Sequence, residues 1–314
     1  MQKKYFLVFH TVFVLDENID YLEEFLLYHL NLGVEHFYLY DNSGSIGRNG
    51  STQNKNKYGF DIIPKDNKKI NFIQKKYGKY ITYIKWNPRN VKGDIIYGYN
   101  ESVFDFIKNY KSESEWCAFL DLDEFIYSSN NINIVEYLKK LKGNIGQVRL
   151  VQKKFKDRHL IKNKLITQDF ECIEGVDIGL EWASKSIIKT SKLVIVYSVH
   201  KILVKNKTIL ADVSSFRFNH YNVNDKLLKW MKNFYKSDIE FKLNGKDDGM
   251  NRYYNIFKNM GSLDDSFKSN LKDIKYDRIC DEPVESYLPK KTFSFMLRIL
   301  FFRVRRKIEK AINK

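Results

Sequence analysis

Proline and cysteine are scarce in this chain, with 4 and 3 of 314 residues, and glycine reaches only 15. So little proline and glycine excludes a collagen-like or low-complexity chain. Cys117, Cys172 and Cys280 lie far apart. They form neither a disulfide framework nor a metal-ligand spacing, which points to a reducing compartment. Cys117 falls in an apolar run and is expected in the core. No apolar run approaches the roughly 18–20 residues of a membrane span. The start, Met1 to Leu15, has two lysines and a long apolar stretch, but it holds His10 and lacks a small-residue cleavage site. A buried strand is expected there rather than a signal peptide, which disfavours an extracellular or type II Golgi protein. Acidic residues are outnumbered: 38 Asp and Glu face 54 Lys and Arg, for a net charge of +16.

What is present is apolar and aromatic. Hydrophobic residues make up 43% and aromatics 15%, with 23 Phe and 21 Tyr. A chain of this length and composition buries a substantial core, in one large domain or two ordinary ones. The charge is concentrated at one end. Residues 290–314 carry nine Lys or Arg against the single acid Glu309, so +8 of the net +16 sits in the last 25 residues.

Periodicity divides the rest. Residues 5–15 are β-rich and apolar, as in a strand covered on both faces. Leu22, Phe25, Leu26, His29 and Leu30 then recur at three and four residues, as on a helix face. Gly33 stands where such a helix ends. Val34 to Tyr40 makes a second strand, so a parallel β-α-β unit is expected. Residues 44–80 are rich in Asn, Lys and Gly, and suggest a surface excursion with little core. A third strand is expected at 80–86, a helix around 97–110, and a fourth strand at Trp116–Leu120. The result is α/β, an open and mainly parallel sheet flanked by helices. Past 145, short strands are expected at 146–152, 185–190, 193–199, 200–204 and 213–218. Helix is expected again from 224 to about 260, followed by a polar stretch to 290.

The fourth strand delivers Asp121-Leu122-Asp123-Glu124-Phe125 at its C-terminal end, where open α/β sheets bind ligands. Period-two alternation puts both aspartates on one side of an extended chain. Two such carboxylates make a hard oxygen site for Mg²⁺ or Mn²⁺, which would also draw on phosphate oxygens. A solvated loop after a strand is the plain alternative for an Asp-x-Asp pair.

With these motifs the chain resembles family-92 and related family-2-like glycosyltransferases of the GT-A, Rossmann-like fold. The resemblance covers about residues 6–232. Tyr21-Leu22-Glu23-Glu24-Phe25, Tyr28-His29, Leu32-Gly33-Val34 and Phe37 through Ser43 are similar to the family's opening segment, with Phe25 where Trp is usual. Trp116 through Phe125 is similar to its Asp-x-Asp-Glu-Phe segment. Lys185-Ser186-Ile187, His200 and Asn219-His220-Tyr221, with Lys229 and Lys232, follow in the family's order. Lys153-Lys154-Phe155-Lys156-Asp157 replaces the usual Trp-x-x-Phe-Gly near the acceptor. With the patterning above, the expected organisation is a catalytic domain, 1–232, that includes the 44–80 excursion, a helical extension, 233–289, and a basic amphipathic tail helix, 290–314.

The resemblance also implies roles. Asp123 would contact the metal directly. Asp121 would reach the ribose, or the metal through water. His200 or His220 would complete the site as a neutral imidazole. Asp41 would approach the uracil or ribose, or merely form the turn before Asn42-Ser43-Gly44. Glu17 would lie beside the nucleotide, or simply favour a helix N-terminus. Lys185 would counter a phosphate, or be solvated on an edge strand. An inverting transferase needs a base for the acceptor hydroxyl. Asp157, Asp169, Glu171, Glu174, Asp177 and Glu181 are candidates, and Asp169 lies beside the family's usual Glu.

The implied function is transfer of a sugar from a nucleotide-sugar to a surface glycan or lipid-linked oligosaccharide at the inner membrane face. In a helical projection Phe293, Leu297, Leu300, Val304, Ile308 and Ala311 share one side of the tail, with Arg and Lys around them. That pattern fits an interfacial helix on anionic lipid; a helix docked on the catalytic domain is the alternative. No nucleic-acid-binding module accompanies the charge. Two other functions compete. A haloacid-dehalogenase-type phosphatase also carries Asp-x-Asp after a strand, but wants Thr or Val where Phe125 stands. A non-catalytic basic binding protein leaves the motifs unexplained.

Overall fold

The computed structural model describes residues 3–45, 68–128, 132–156, 165–167, 173–176, 184–223, 249–257, 274–289 and 300. Asp169 and all of the tail but Leu300 lie outside these residues. So do the side chain of Glu17 and residues 46–67. Among the described residues no helix is long and apolar enough to cross a membrane.

The first strand, β1 (Tyr5–Phe13), is buried along most of its length, as its unbroken apolar run requires. Helix α1 (Leu15–Asn31) follows and ends before Gly33, whose φ of +92° suits glycine. The next strand, β2 (His36–Asp41), lies parallel to β1, so the expected β-α-β unit is present. Helix α2 (Lys68–Tyr77) corrects the reading of 44–80 as an excursion with little core. Its Ile70, Ile73 and Tyr77, spaced three and four apart, are buried against the sheet layer that α1 covers. The lysines between them obscured that face in the composition.

Next come β3 (Ile81–Trp86), α3 (Tyr99–Tyr110), β4 (Ser114–Phe119), β5 (Glu124–Ser128) and α4 (Ile134–Lys140). Gly98 leads into α3 with φ +55°, and a Cβ there would stand 2.6 Å from Pro88 Cγ, so glycine is required. Then follow β6 (Ile145–Lys156), β7 (Ile173–Val176), β8 (Ser184–Lys189), β9 (Leu193–Ser198), β10 (Lys201–Val204), β11 (Lys207–Leu210), β12 (Phe216–Val223) and β13 (Arg278–Cys280).

The main sheet runs β13-β3-β2-β1-β4-β8-β6-β12-β5, with β7 and β11 also on β6, while β9 and β10 form a separate hairpin. From β13 to β4 all pairings are parallel; β8 enters antiparallel to both β4 and β6. Alternate residues of β1 face opposite layers. Phe9 and Phe13 pack with α1 and α2, while Val8 and Val12 pack with Val103 and Phe106 of α3.

The expected helical extension at 233–289 needs revision over its described part. Residues 249–257 are short helical turns, but 278–280 form an edge strand of the main sheet, parallel to β3. Arg278 pairs with Asp105 of α3, which also accepts from Tyr40 Oη at 2.8 Å. Arg89 grips Asp281 at 2.6 Å. These polar anchors act together with scattered apolar contacts of Ile274, Tyr276, Cys280 and Tyr287, which have no regular period for the sequence pattern to announce.

Two core histidines set the acid limit of the fold. His10 and His29 are fully buried, and burial pushes each down to about 3 from an ordinary 6.5. Between pH 6.5 and 3 the unfolded chain therefore binds more protons at these sites, and stability falls as pH falls. Each contributes about 1.4 kcal/mol per pH unit in that window. Glu24 and Glu124, pushed up by burial to about 7 from 4.5, have the opposite sign. Their folded forms hold extra protons between 4.5 and 7, which partly offsets the histidines there. His36 and His200, lowered by burial to about 4, act with the core histidines and outweigh the two glutamates, so urea-unfolding stability should decline as pH falls from 6.5 and still lose roughly 3 kcal/mol per unit between pH 4 and 3. A profile that stays level to pH 3 would show that these imidazoles are not held neutral.

Candidate active site

The chain leaves the middle of the sheet at Phe119 and re-enters as β5 at Glu124. Leu120 and Leu122 are each 1% exposed and anchor this crossing in the core. Period two then turns Asp121 and Asp123 the other way. Their side chains are 34% and 11% exposed.

Phe125 fixes the next step. It is fully buried, with its ring centroid 5.7 Å from that of Phe25 and 5.5 Å from those of Tyr28 and His29. Tyr28 and His29 then clamp the backbone of Ile126. Tyr28 Oη donates to the Ile126 carbonyl at 2.6 Å, and the Ile126 N–H donates to His29 Nε2 at 3.3 Å. His29 Nδ1 donates to the Phe25 carbonyl at 2.9 Å, which fixes the neutral tautomer. The Tyr-His pair of α1 thus supplies hydrogen bonds to a strand that, among the described residues, pairs with β12 alone. Its work is to hold the segment that carries the carboxylates.

Beneath the aspartates lies Lys185, 1% exposed. Its Nζ is 2.7 Å from Asp121 Oδ2 and 3.0 Å from Glu124 Oε2. Glu124 Oε2 also accepts the Asp121 N–H at 2.9 Å, which closes the turn. Burial disfavours the ammonium, but Asp121 and Glu124 outweigh it and raise the Lys185 pKa above its ordinary value. Lys185 therefore spends its charge on the carboxylates of the motif itself, one strand away from where it begins.

His220 projects from β12, directly opposite Glu124 in the antiparallel pairing with β5. Its Nε2 faces Asp123 Oδ2 at 3.5 Å, while its Nδ1 donates to Gln152 Oε1 at 3.0 Å. Burial works against its protonated form, but Asp123 and then Glu124 prevail and raise its pKa. His200 sits in the turn between β9 and β10 and donates from Nδ1 to the Ser184 carbonyl at 3.1 Å. Burial, then Lys185, lower its pKa to about 4. The structure therefore gathers Asp121, Asp123, Lys185, His200 and His220 at one end of β4, β8 and β12. Only His220 is aimed at Asp123.

Asp41 lies at the end of β2 with its carboxylate filled. Oδ1 accepts from the backbone N–H of Ser43 at 3.0 Å and from its hydroxyl. Oδ2 accepts from Tyr83 Oη at 2.9 Å and Tyr276 Oη at 3.1 Å. It builds the turn and ties the 274–289 segment to the sheet; a ribose or base would have to displace one of these donors. Glu17 occupies the first turn of α1.

Two participants carried no usable sequence signal. Gln152 lies in a lysine-flanked strand, and only the placement of β12 beside β6 reveals its partner. Tyr99 begins α3 with its hydroxyl buried and, among the described residues, without a hydrogen-bond partner. Burial, followed by Asp121, raises its pKa well above ordinary.

Among the described residues no three of His, Cys, Asp or Glu are arranged to hold a metal by themselves. The Asp123–His220 pair offers one carboxylate oxygen and one imidazole nitrogen, and any ion there would need oxygens from a ligand. That donor set suits Mn²⁺ or Mg²⁺ in company with phosphate.

The family model of glycosyltransferase family 92 matches residues 57–249, well over half of the chain. The chain belongs to glycosyltransferase family 92. No curated protein matches it. Family-92 membership makes the chain a glycosyltransferase, with a sugar donor and an acceptor, and sets aside the phosphatase and the non-catalytic readings. The mixed α/β sheet, parallel through its first half and flanked by helices, is consistent with a GT-A-like fold. The family-92 span takes in the Asp-x-Asp turn, Lys185, His200 and His220.

Proposed function

We propose that the chain is an inverting, divalent-metal-dependent transferase. It moves a hexosyl or N-acetylhexosaminyl group from a nucleotide-sugar, UDP-linked by preference, to a surface glycan or lipid-linked oligosaccharide. One observation carries this reading: Asp123 and His220 face each other across the end of the sheet, each held by its neighbours, with Asp121 and Lys185 alongside. Asp123 and His220 would hold Mn²⁺ or Mg²⁺ together with donor phosphates. The ion would supply positive charge to the diphosphate leaving group.

The chain's own residues do the rest. Glu124 and Lys185 fix Asp121, whose partly exposed carboxylate would meet a ribose hydroxyl. His200, kept neutral by burial and Lys185, offers a second uncharged imidazole beside the phosphates. Asp169 is the proposed base. Two residues before it, Thr167 is fastened to α1, where Glu24 accepts from the Thr167 N–H at 3.0 Å, from its hydroxyl, and from the Ile166 N–H at 2.7 Å.

Thermal-shift screening of nucleotide-sugars, with and without Mn²⁺, tests the proposal, because a ligand that binds only the folded chain raises its melting temperature. A UDP-sugar should raise it, and more with Mn²⁺ than without. Equal shifts with and without metal would leave a transferase that does not use one.

The tail, 290–314, is proposed to hold the enzyme at the cytoplasmic face of an anionic membrane. Each Lys or Arg near such a surface contributes about 1 kcal/mol, and apolar burial adds to it. Truncation after Pro289 should abolish co-sedimentation with anionic liposomes while leaving transfer to a soluble acceptor. High salt should weaken the attachment of the full chain. Equal sedimentation of both chains would place the contact elsewhere.

A further inference from the structure

We infer that Gln152 is a positioning residue that dictates which nitrogen of His220 is offered to the metal. The inference rests on the reading of Asp123 and His220 as the metal-holding pair. An imidazole has two nitrogens, and in the neutral ring one carries the proton while the other carries the lone pair. Which is which depends on the partner of the protonated one. Gln152 Oε1 can only accept, and it stands 3.0 Å from His220 Nδ1. Nδ1 therefore keeps its proton, and the proton that Asp123 Oδ2, at 3.5 Å, favours on Nε2 is the one a bound ion would displace, leaving the Nε2 lone pair for the metal. The other acceptor near Nδ1, Glu124 Oε1, is 3.9 Å away, too far to take over.

The backbone makes this arrangement rigid. Gln152 is 4% exposed and lies on β6, and β12 runs parallel to it with Phe218 opposite Gln152. On its other edge β12 pairs with β5, which puts His220 opposite Glu124. The ring is thus set between two paired strands, with Gln152 on one side and the Asp-x-Asp turn on the other. A neutral amide suits the task, because it orients the ring without adding a second charge next to Asp123.

The test is Mn²⁺ binding by the full chain, followed by electron paramagnetic resonance of the free ion. Gln152→Leu keeps the bulk and removes the acceptor. It should weaken binding about 10–100-fold. Gln152→Glu keeps an acceptor at the same place and should stay within a few-fold of the unaltered chain. His220→Ala should weaken binding at least as much as Gln152→Leu. If Gln152→Leu binds Mn²⁺ at full strength while His220→Ala does not, Gln152 has no such role. If His220→Ala and Asp123→Ala both bind at full strength, the metal pair itself is misassigned, and this inference falls with it. A ¹⁵N NMR measurement on the unaltered chain decides independently of any variant's folding. His220 should show a protonated Nδ1 and an unprotonated Nε2 with diamagnetic Mg²⁺ present, and the reverse tautomer would overturn the assignment.

Discussion

Replacing Asp123 by asparagine should reduce sugar transfer by at least about 10²-fold and leave the fold intact. The side chain keeps its size, and its backbone carbonyl still accepts the Tyr221 N–H at 3.0 Å. What is lost is one full negative charge beside His220. Stabilisation of charge developing on a leaving group is commonly worth about 10²–10³ in rate when a single group is removed. The loss should fall on kcat more than on KM if Asp123 acts through the departing diphosphate. Asp123→Ala should be at least as severe. Turnover assays with saturating donor, alongside far-UV circular dichroism, check both halves of the expectation. An Asp123→Asn enzyme turning over at the normal rate would remove the carboxylate from the chemistry.

Lys185→Met should cost more stability than most single substitutions in this chain, about 3–5 kcal/mol. The ammonium is almost wholly buried, and it answers two carboxylates of unequal exposure. Asp121, 34% exposed, can turn to water; Glu124, 2% exposed, cannot. Removing the cation therefore leaves Glu124 in the core either as an unpaired charge or obliged to take up a proton, and both cost stability. A second change separates this cause from lost packing. Lys185→Met combined with Glu124→Gln removes both charges and should recover more than half of the loss. Urea unfolding of the two single variants and the double variant measures the coupling. If the two losses simply add, Lys185 contributes through its apolar stem and not through its charge.

Much of the fold around this site is legible in the sequence. The apolar run at 5–15, the helix ending at Gly33 and the strand before Asp121 each follow from local periodicity, and each lies within a residue or two of its expected place. The pairing of Asp121 with Asp123 followed from period two. The duties of the partners did not. Lys185 was expected to answer a phosphate or solvent, but the register of β8 beside β4 carries it under Asp121 and Glu124. Tyr28-His29 was legible as a motif, yet its purpose appears only when α1 packs on β5. Gln152 was silent because its partner lies 68 residues away in a strand whose placement no local pattern encodes. Helix α2 was hidden because lysines interrupt the face formed by Ile70, Ile73 and Tyr77. Local chemistry is written in neighbouring residues, whereas the roles of side chains that act across the sheet are written in strand order.

Strand order also has a temporal side. β3 has β2 on one flank and β13 on the other, and β13 lies almost two hundred residues later in the chain. At ribosomal rates of about 5–20 residues per second, β3 stays without that partner for roughly 10–40 s after it emerges. During that interval an unpaired edge and the Asp105 carboxylate, still waiting for Arg278, face solvent on a half-made enzyme. Residues 274–289 are thus the last stitch of the sheet, and nascent chains should depend on chaperones most just before they are translated.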